Sequence, residues 1–362
     1  MTRIWMSFLI GSVFAMGSCK DDTTILTPLV HDETPYELEL NFMPAPQIPD
    51  DNTLTIEGVK LGRQLFYETD LSSDGTMSCG SCHRQEHAFS DSNRLSIGVR
   101  GLPGKRQAMA IVNLAWNTNE FFWDGRAHLL RDQALMPIQD ELEMDETLDN
   151  VVQKLSSQDE YKDQFFRAFG SKEINSYKIS LALEQFMNSL VSTNSKWDRY
   201  MMGLESLSDS EERGRELYFA EYNPFFPNLS GADCAHCHSP TNMEDDTYKN
   251  NGLFSEADIV DYGREMVTQQ SSDRGKMKVT TLRNIEVTGP YMHDGRFNTL
   301  EEVVEHYNSG IQQSTTVEPV LANTIGTGLM LTEQDKKDLV AFLKTFTDEA
   351  FLTNPAFSDP NK

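Results

Sequence analysis

The amino-acid sequence predicts a mainly α fold, with two related domains in tandem and long loops. Three observations predict it. Apolar residues recur at helical spacing in several segments, and no run of strand-type alternation appears anywhere. Distinct segments recur in the same order in two halves of the chain. The 362 residues, 38% of them hydrophobic, suffice for two cores rather than one.

The elements follow in order. "MTRIWMSFLIGSVFAMGSC" has Arg3, an apolar run from Ile4 to Met16 and small residues before Cys19, the pattern of an export signal. The run is short for a membrane span, and "MGSC" resembles a bacterial lipobox, although Met16 is unusual at its −3 position. Residues 1–18 are expected to be a removed signal peptide and Cys19 to carry lipid, the chain's only hold on a membrane. The alternative is an ordinary signal peptide with Cys19 in its cleavage region. Either way the protein is exported, to the periplasm or cell envelope. Residues 19–54 read as the lipidated cysteine and an extended tether, with Pro28, Pro35, Pro44, Pro46 and Pro49 among acidic residues.

Residues 55–205 and 206–350 read as the two domains, with 351–362 as a tail. "LGRQLFY" at 61–67 and "RGRELYF" at 213–219 are equivalent front helices. In "SYKISLALEQFMNSLVS", residues 176–192, Ile179, Leu181, Leu183, Phe186, Met187 and Leu190 lie near helical spacing. A polar break follows, with Ser208 as N-cap. In "LTEQDKKDLVAFLKTF", Thr332 caps a helix whose stripe is Leu339, Phe342, Leu343 and Phe346, and Asp335 lies three residues after the cap.

Charge narrows the partners. Lys plus Arg number 31 against 56 Asp plus Glu, a net charge of −25, so repulsion from phosphates argues against nucleic acid. A basic protein or a cationic surface is the more natural partner.

Of the five cysteines, the four other than Cys19 are Cys79, Cys82, Cys234 and Cys237, all inside Cys-x-x-Cys-His. Two thiols about one turn apart can add to the two vinyl groups of one haem, and the next residue, His83 or His238, then faces the iron. A redox dithiol or half a zinc site would not need the histidine twice. The domains are therefore expected to be cytochrome-c-like haem domains with two covalently bound c-type haems. A further echo follows each motif: "FFWDGRAHLL" at 121–130 and "PYMHDGRFNTL" at 290–300 set Trp123 and His293 at equivalent places.

"LGRQLFY…CGSCH…FFWDGRAHLLRDQALMPIQDELEM" and "CAHCH…KVTTLRNIEVTGPYMHDGRFNTLEEVVEHYN" together resemble the bacterial di-haem cytochrome c peroxidase and MauG family, over about residues 55–347. The resemblance implies that Trp123 lies between the haems and that Gln133, Pro137 and Glu143 line the distal pocket of the first. A carboxylate there can take a proton from peroxide and return it to the departing oxygen, which makes Glu143 the catalytic acid–base. Without the resemblance, Glu143 reads as a solvated residue of "DELEMDETLD", Trp123 as core, and Gln133 and Pro137 as helix surface and helix end.

Two departures matter. Where classical peroxidases often carry a histidine that blocks the first haem, this chain has Val99, which cannot ligate iron. Where they carry a methionine on the second iron, fourteen residues past the histidine of "PYMHDG", it has Tyr307, as MauG does. A phenolate favours ferric and higher states. His306, Met277 and Met292 are the rivals for that iron. His87 reads as structural or on the surface, His236 cannot turn back to its own iron, and His31 and His128 have no assigned partner. Family members also bind calcium, which here falls to the carbonyls of Thr288 and Pro290 and to Gln107 where an asparagine is usual.

The function so implied is that of a cytochrome-c peroxidase. Hydrogen peroxide is reduced to water with electrons from a small cytochrome c or copper protein, relayed through the second haem and Trp123. A MauG-like oxidase acting on residues of a partner protein is the alternative, and a non-catalytic electron-transfer cytochrome a third. A second copy of the chain, as a homodimer, is admitted as a further partner.

Overall fold

The computed structural model describes residue 1, residues 29–239 and residues 241–362. The expected signal peptide and the lipidation at Cys19 lie outside the described residues.

The principal helices are α1 (Ile56–Phe66), α2 (Leu130–Gln139), α3 (Leu148–Ser156), α4 (Asp159–Phe169), α5 (Ser176–Ser189), α6 (Lys196–Met201), α7 (Asp209–Phe219), α8 (Leu300–Glu305), α9 (Glu333–Lys344) and α10 (Glu349–Thr353). Strand content among the described residues is one antiparallel pair, Tyr248–Lys249 with Met277–Lys278. Both caps read from the sequence form reciprocal boxes. Ser208 pairs with Glu211 at the start of α7, and Thr332 with Asp335 at the start of α9.

Each half is a helix pair. In the first, α1 crosses α5 and buries Leu61, Leu65 and Phe66 against Leu183, Phe186 and Leu190. In the second, α7 crosses α9 and buries Tyr218 against Leu339, Phe342 and Phe346, with Trp197 of α6 on the same core. The crossings meet at equivalent glycines: a Cβ on Gly62 would strike the Ala182 carbonyl, and one on Gly214 the Asp338 carbonyl. That is why "LGR" and "RGR" repeat.

The duplication extends to single torsion angles. Phe89 and Met243 take φ of 59° and 57°, Asn113 and Asn284 take 55° and 59°, and Phe122 and Met292 take 70° and 73°. Such left-handed values are uncommon outside glycine and disfavour bulky residues, so their recurrence marks places where the backbone itself is needed.

A buried polar seam joins the halves. Asn113 and Ser192 bond reciprocally at 3.0 and 2.7 Å, Ser192 Oγ donates to Asp348 at 3.0 Å, and Asn284 Nδ2 donates to Ser192 Oγ at 3.0 Å. Beside it, Arg283 pairs with Asp198 at 2.9 Å, both fully buried.

Two segments differ from expectation. Residues 29–54 are extended but not a free tether: Pro35 bridges Thr55, Met43 is buried, and Asn41 Nδ2 donates to the Thr193 carbonyl at 2.9 Å. Residues 351–362 are not a loose tail. They return to the first core, where Phe351 and Phe357 are buried and Arg63 Nε donates to the Ser358 carbonyl at 2.6 Å. Their polar composition hides two aromatic anchors.

Replacing Gly62 or Gly214 by alanine forces the crossing helices apart and should cost about 1–3 kcal/mol. Chemical denaturation of the holoprotein checks it, and an unchanged midpoint in both variants would show that the crossings are not tight.

Candidate functional site

Each Cys-x-x-Cys-His stretch is built so that its histidine is aimed. Cys79–Cys82 is one helical turn started by a Ser78–Ser81 box, and the His83 amide closes it by donating to the Cys79 carbonyl at 2.9 Å. The ring is then fixed by Nδ1, 2.7 Å from the Phe89 carbonyl. The second motif repeats this, with the His238 amide on the Cys234 carbonyl at 2.9 Å and Nδ1 at 3.1 Å from the Met243 carbonyl. The left-handed torsions of Phe89 and Met243 belong to the residues whose carbonyls receive the rings. Burial lowers the pKa of both imidazoles, so each presents a neutral Nε2. His236 is half exposed on the outside.

Both motifs open into one cavity of about 1210 Å³. Protein interiors pack densely, with few voids larger than a water molecule, so this space is not a packing fault. Its walls are largely aliphatic and aromatic, and Cys79, Cys82 and His83 line one end while Cys234, Cys237 and His238 line the other. All four thiols are free rather than paired, and burial pushes Cys79 and Cys234 up to about 12. Two thiols and a neutral imidazole at each end of an apolar space fit a c-type haem at each end.

Trp123 lies on the cavity wall. Its indole Nε1 donates to the Gln107 carbonyl at 2.8 Å, while the Gln107 amide donates to the His293 carbonyl at 2.8 Å. The rings of Trp123 and His293 meet edge to face, 6.4 Å apart. Gln107, Thr288 and Pro290 also reach this wall, and Gln107 Nε2 is engaged by Ser90 Oγ at 2.9 Å.

At the His83 end the wall includes Gln133, Pro137 and Glu143. The first two stand on α2, and Glu143 on the turn after it, where its amide donates to Asp140 at 3.0 Å and the Met144 amide to Pro137 at 3.2 Å. The loop 96–104 clamps this turn. Val99 N donates to the Glu143 carbonyl at 2.9 Å, and Gly98 is pressed so close to Leu142 and Glu143 that no Cβ would fit. Burial pushes the Glu143 carboxyl up to about 7, helped by the charge of Asp140 and opposed by Arg126. A second cavity of about 270 Å³, lined by Phe122, Arg126, Pro137, Asp140 and Glu143 among others, meets the same carboxyl.

At the other end α8 runs into a π-helical turn over His306–Gly310. The turn separates two neighbours: His306 is held by the Asn251 carbonyl at 3.0 Å against Phe297, whereas Tyr307 lies on the cavity wall with its hydroxyl pushed up to about 12 by burial. Met277 and Met292 share that wall. His87 bridges to the Val287 carbonyl at 3.2 Å, and His31 to that of Arg167 at 2.9 Å.

Sequence reasoning passed over three charged groups. Arg126 stacks 3.5 Å over Phe122 beside Glu143, and Asp140 acts on the same carboxyl. Glu244, inside the acidic run "MEDD", is a cavity-lining carboxyl that burial pushes up to about 7. Only the repeat of "DGR" hinted at the first, and nothing local marked the others.

A family model described as di-haem cytochrome c peroxidase matches residues 56–206. The methylamine utilization protein MauG of Methylorubrum extorquens is 33% identical over 97% of this chain and 96% of its own. The cytochrome c551 peroxidase of Nitrosomonas europaea is 33% identical over 80% of each chain. Among solved structures, a MauG-like protein associated with microbial copper homeostasis is similar at a TM-score of 0.80 and 33% identity, covering 90% of this chain and 100% of that one.

Burying Glu143 carries a pH-dependent penalty. The carboxyl holds its proton up to about 7 in the fold against 4.5 ordinarily, so the penalty is absent below pH 4.5, grows between the two values and is complete above pH 7. Allowing for partial solvent contact it is about 2 kcal/mol. Glu143→Gln should therefore stabilise the holoprotein at pH 8 and leave it unchanged at pH 4.5. Equal denaturation midpoints at pH 8 would refute the burial.

Proposed function

The chain belongs to the di-haem cytochrome c peroxidase and MauG family, and from that premise we propose that it reduces hydrogen peroxide to water with electrons from a small redox protein. The observation that carries the reading is Glu143, a carboxyl near neutrality on the cavity wall at the His83 end. In this reading Cys79, Cys82 and His83 hold one haem, and Cys234, Cys237 and His238 the other, with Tyr307 as the second protein ligand at that end. When bound, the haem iron supplies a place for peroxide oxygen and a store for electrons.

The chain's own residues do the rest. A Glu143 carboxylate oxygen accepts the proton of one peroxide oxygen and delivers it to the other, which leaves as water. Two electrons and two further protons complete the conversion of one peroxide to two waters. Gln133 and Pro137 shape the space around the substrate. Trp123, fixed through Gln107, supplies a packed aromatic bridge between the ends. The Gln107 side-chain oxygen and the carbonyls of Thr288 and Pro290 form a hard-oxygen set suited to calcium beside that bridge. Export with lipid at Cys19 would set the reaction in the cell envelope; no described helix is long and apolar enough to cross a membrane.

A second reading, oxidation of residues in a partner protein, is favoured by Val99 and Tyr307 and by likeness to MauG along 97% of the chain. A peroxide-dependent cross-link in a candidate partner would select it over the first.

Glu143→Gln should slow peroxide consumption by roughly 10²–10⁴-fold. The wild-type rate should fall as pH drops through about 7, because protonation removes the base, and the variant should lose that dependence. Stopped-flow assays with both haems loaded decide, and equal rates would sink the proposal. Chelation of calcium should lower turnover reversibly, and Gln107→Leu should reproduce the loss; insensitivity of the wild type to a chelator would remove calcium from the account.

A further inference from the structure

The two halves use equivalent loops between front helix and cysteine pair in opposite ways. In the first half this loop, residues 68–78, is mostly polar, and its leucine, Leu71, is wholly buried. In the second, residues 220–233, it turns Phe225, Phe226 and Leu229 outward, at 86%, 63% and 73% exposure. Three large apolar side chains clustered in solvent mark an interaction surface.

The loop is built, not frayed. The amides of Phe225 and Phe226 both donate to Asn223 Oδ1 at 3.1 Å, the Leu229 amide donates to the Phe226 carbonyl at 2.8 Å, and Gly231 closes onto the Glu221 carbonyl at 3.0 Å. Its root is the cavity itself: Tyr222, Ala232, Asp233 and Cys234 all line it. The Tyr222 hydroxyl meets Thr327 Oγ1 at 2.8 Å, which ties the loop to the chain beyond. The apolar cluster is thus the surface immediately outside the second haem-binding motif.

Charge selects the occupant. Glu216 and Glu221, which flank the loop, are exposed carboxylates outside any ion pair among the described residues, and the whole chain carries a net charge of −25. An apolar centre with an acidic border complements a partner with an apolar centre and a basic border. It repels an anionic lipid surface.

We propose that Phe225, Phe226 and Leu229 form the docking platform for a small basic redox protein that exchanges electrons with the second haem; this rests on the peroxidase reading above. The apolar side chains hold the partner, and the carboxylates guide its approach.

The test uses the full holoprotein, hydrogen peroxide, and reduced mitochondrial cytochrome c as the basic probe, with a small dye as a donor that needs no docking. The triple variant Phe225→Ser, Phe226→Ser, Leu229→Ser should raise KM for cytochrome c about ten-fold or more and leave turnover with the dye unchanged. Glu216→Gln with Glu221→Gln should flatten the salt dependence of the cytochrome reaction. Titration calorimetry with cytochrome c reads docking directly, so the platform is judged even if peroxide turnover fails. Unchanged affinity in the triple variant overturns the platform. So does a loss confined to vesicle binding, which would make the cluster a membrane contact, or to self-association in sedimentation, which would make it a contact between copies.

Discussion

The backbone of one residue, Gln107, holds the two halves in register where they face each other. The Gln107 backbone accepts the Trp123 indole through its carbonyl and donates through its amide to the His293 carbonyl, each at 2.8 Å. Since Trp123 and His293 occupy equivalent places in the repeat, this one residue links a residue of the first half to its counterpart in the second. The Trp123 carbonyl in turn receives the Lys278 amide at 2.8 Å, and Arg106, next to Gln107, bonds Asp124 and Asp261 at 2.7 Å each. Electron transfer and proton delivery both depend steeply on position, and an ångström of slippage would separate the two ends functionally. In a low-dielectric wall these hydrogen bonds are stronger than in water, and the arrangement resists that slippage.

Such registration is costly elsewhere. The buried Asp198–Arg283 pair gains little net stability against the desolvation of both ions, and Arg283 Nε stays without a hydrogen bond. The Asn113–Ser192–Asn284–Asp348 seam likewise replaces hydrocarbon packing with groups that must all be satisfied at once. A purely apolar interface would permit sliding, whereas hydrogen bonds of fixed direction permit one pose. The extended residues 29–54 and the return of Phe351 and Phe357 to the first core add covalent and apolar ties to the same end.

How much of this could be read in the sequence depends on the range of the interaction. The helices α5, α7 and α9 were legible because apolar spacing and caps are local signals, and both cysteine motifs because their chemistry fits in five residues. The π-helical turn was not, since no local residue type specifies it, yet it decides which of His306 and Tyr307 reaches the cavity. The environment of Glu143 was legible only through family resemblance. Its burial arises from loop 96–104, about forty residues upstream, and that burial is the main cause of its raised proton affinity, with the charge of Asp140 adding to it and Arg126 opposing it. The termini misled for a related reason: Met43, Phe351 and Phe357 are single anchors in polar sequence, and one buried side chain leaves no periodicity.

The repeat explains why its two ends differ. Fourteen residues after Trp123 the chain carries Pro137, and fourteen after His293 it carries Tyr307, both on the cavity wall. Equivalent helices lead to them, α2 beginning at Leu130 and α8 at Leu300. At one register the first half therefore offers a side chain with no donor atom, and the second a phenol that can ligate a metal. Beyond that point the paths separate: after Pro137 the backbone folds through the Asp140–Asp145 turn and brings in Glu143, whereas after Tyr307 it completes a π-helical turn and leaves. A proline in place of a ligand, followed by a carboxyl, makes one end suited to a substrate. A tyrosine at the same register makes the other suited to holding charge. The asymmetry needs no second fold, only a difference of residue at one position and of backbone path in the next six.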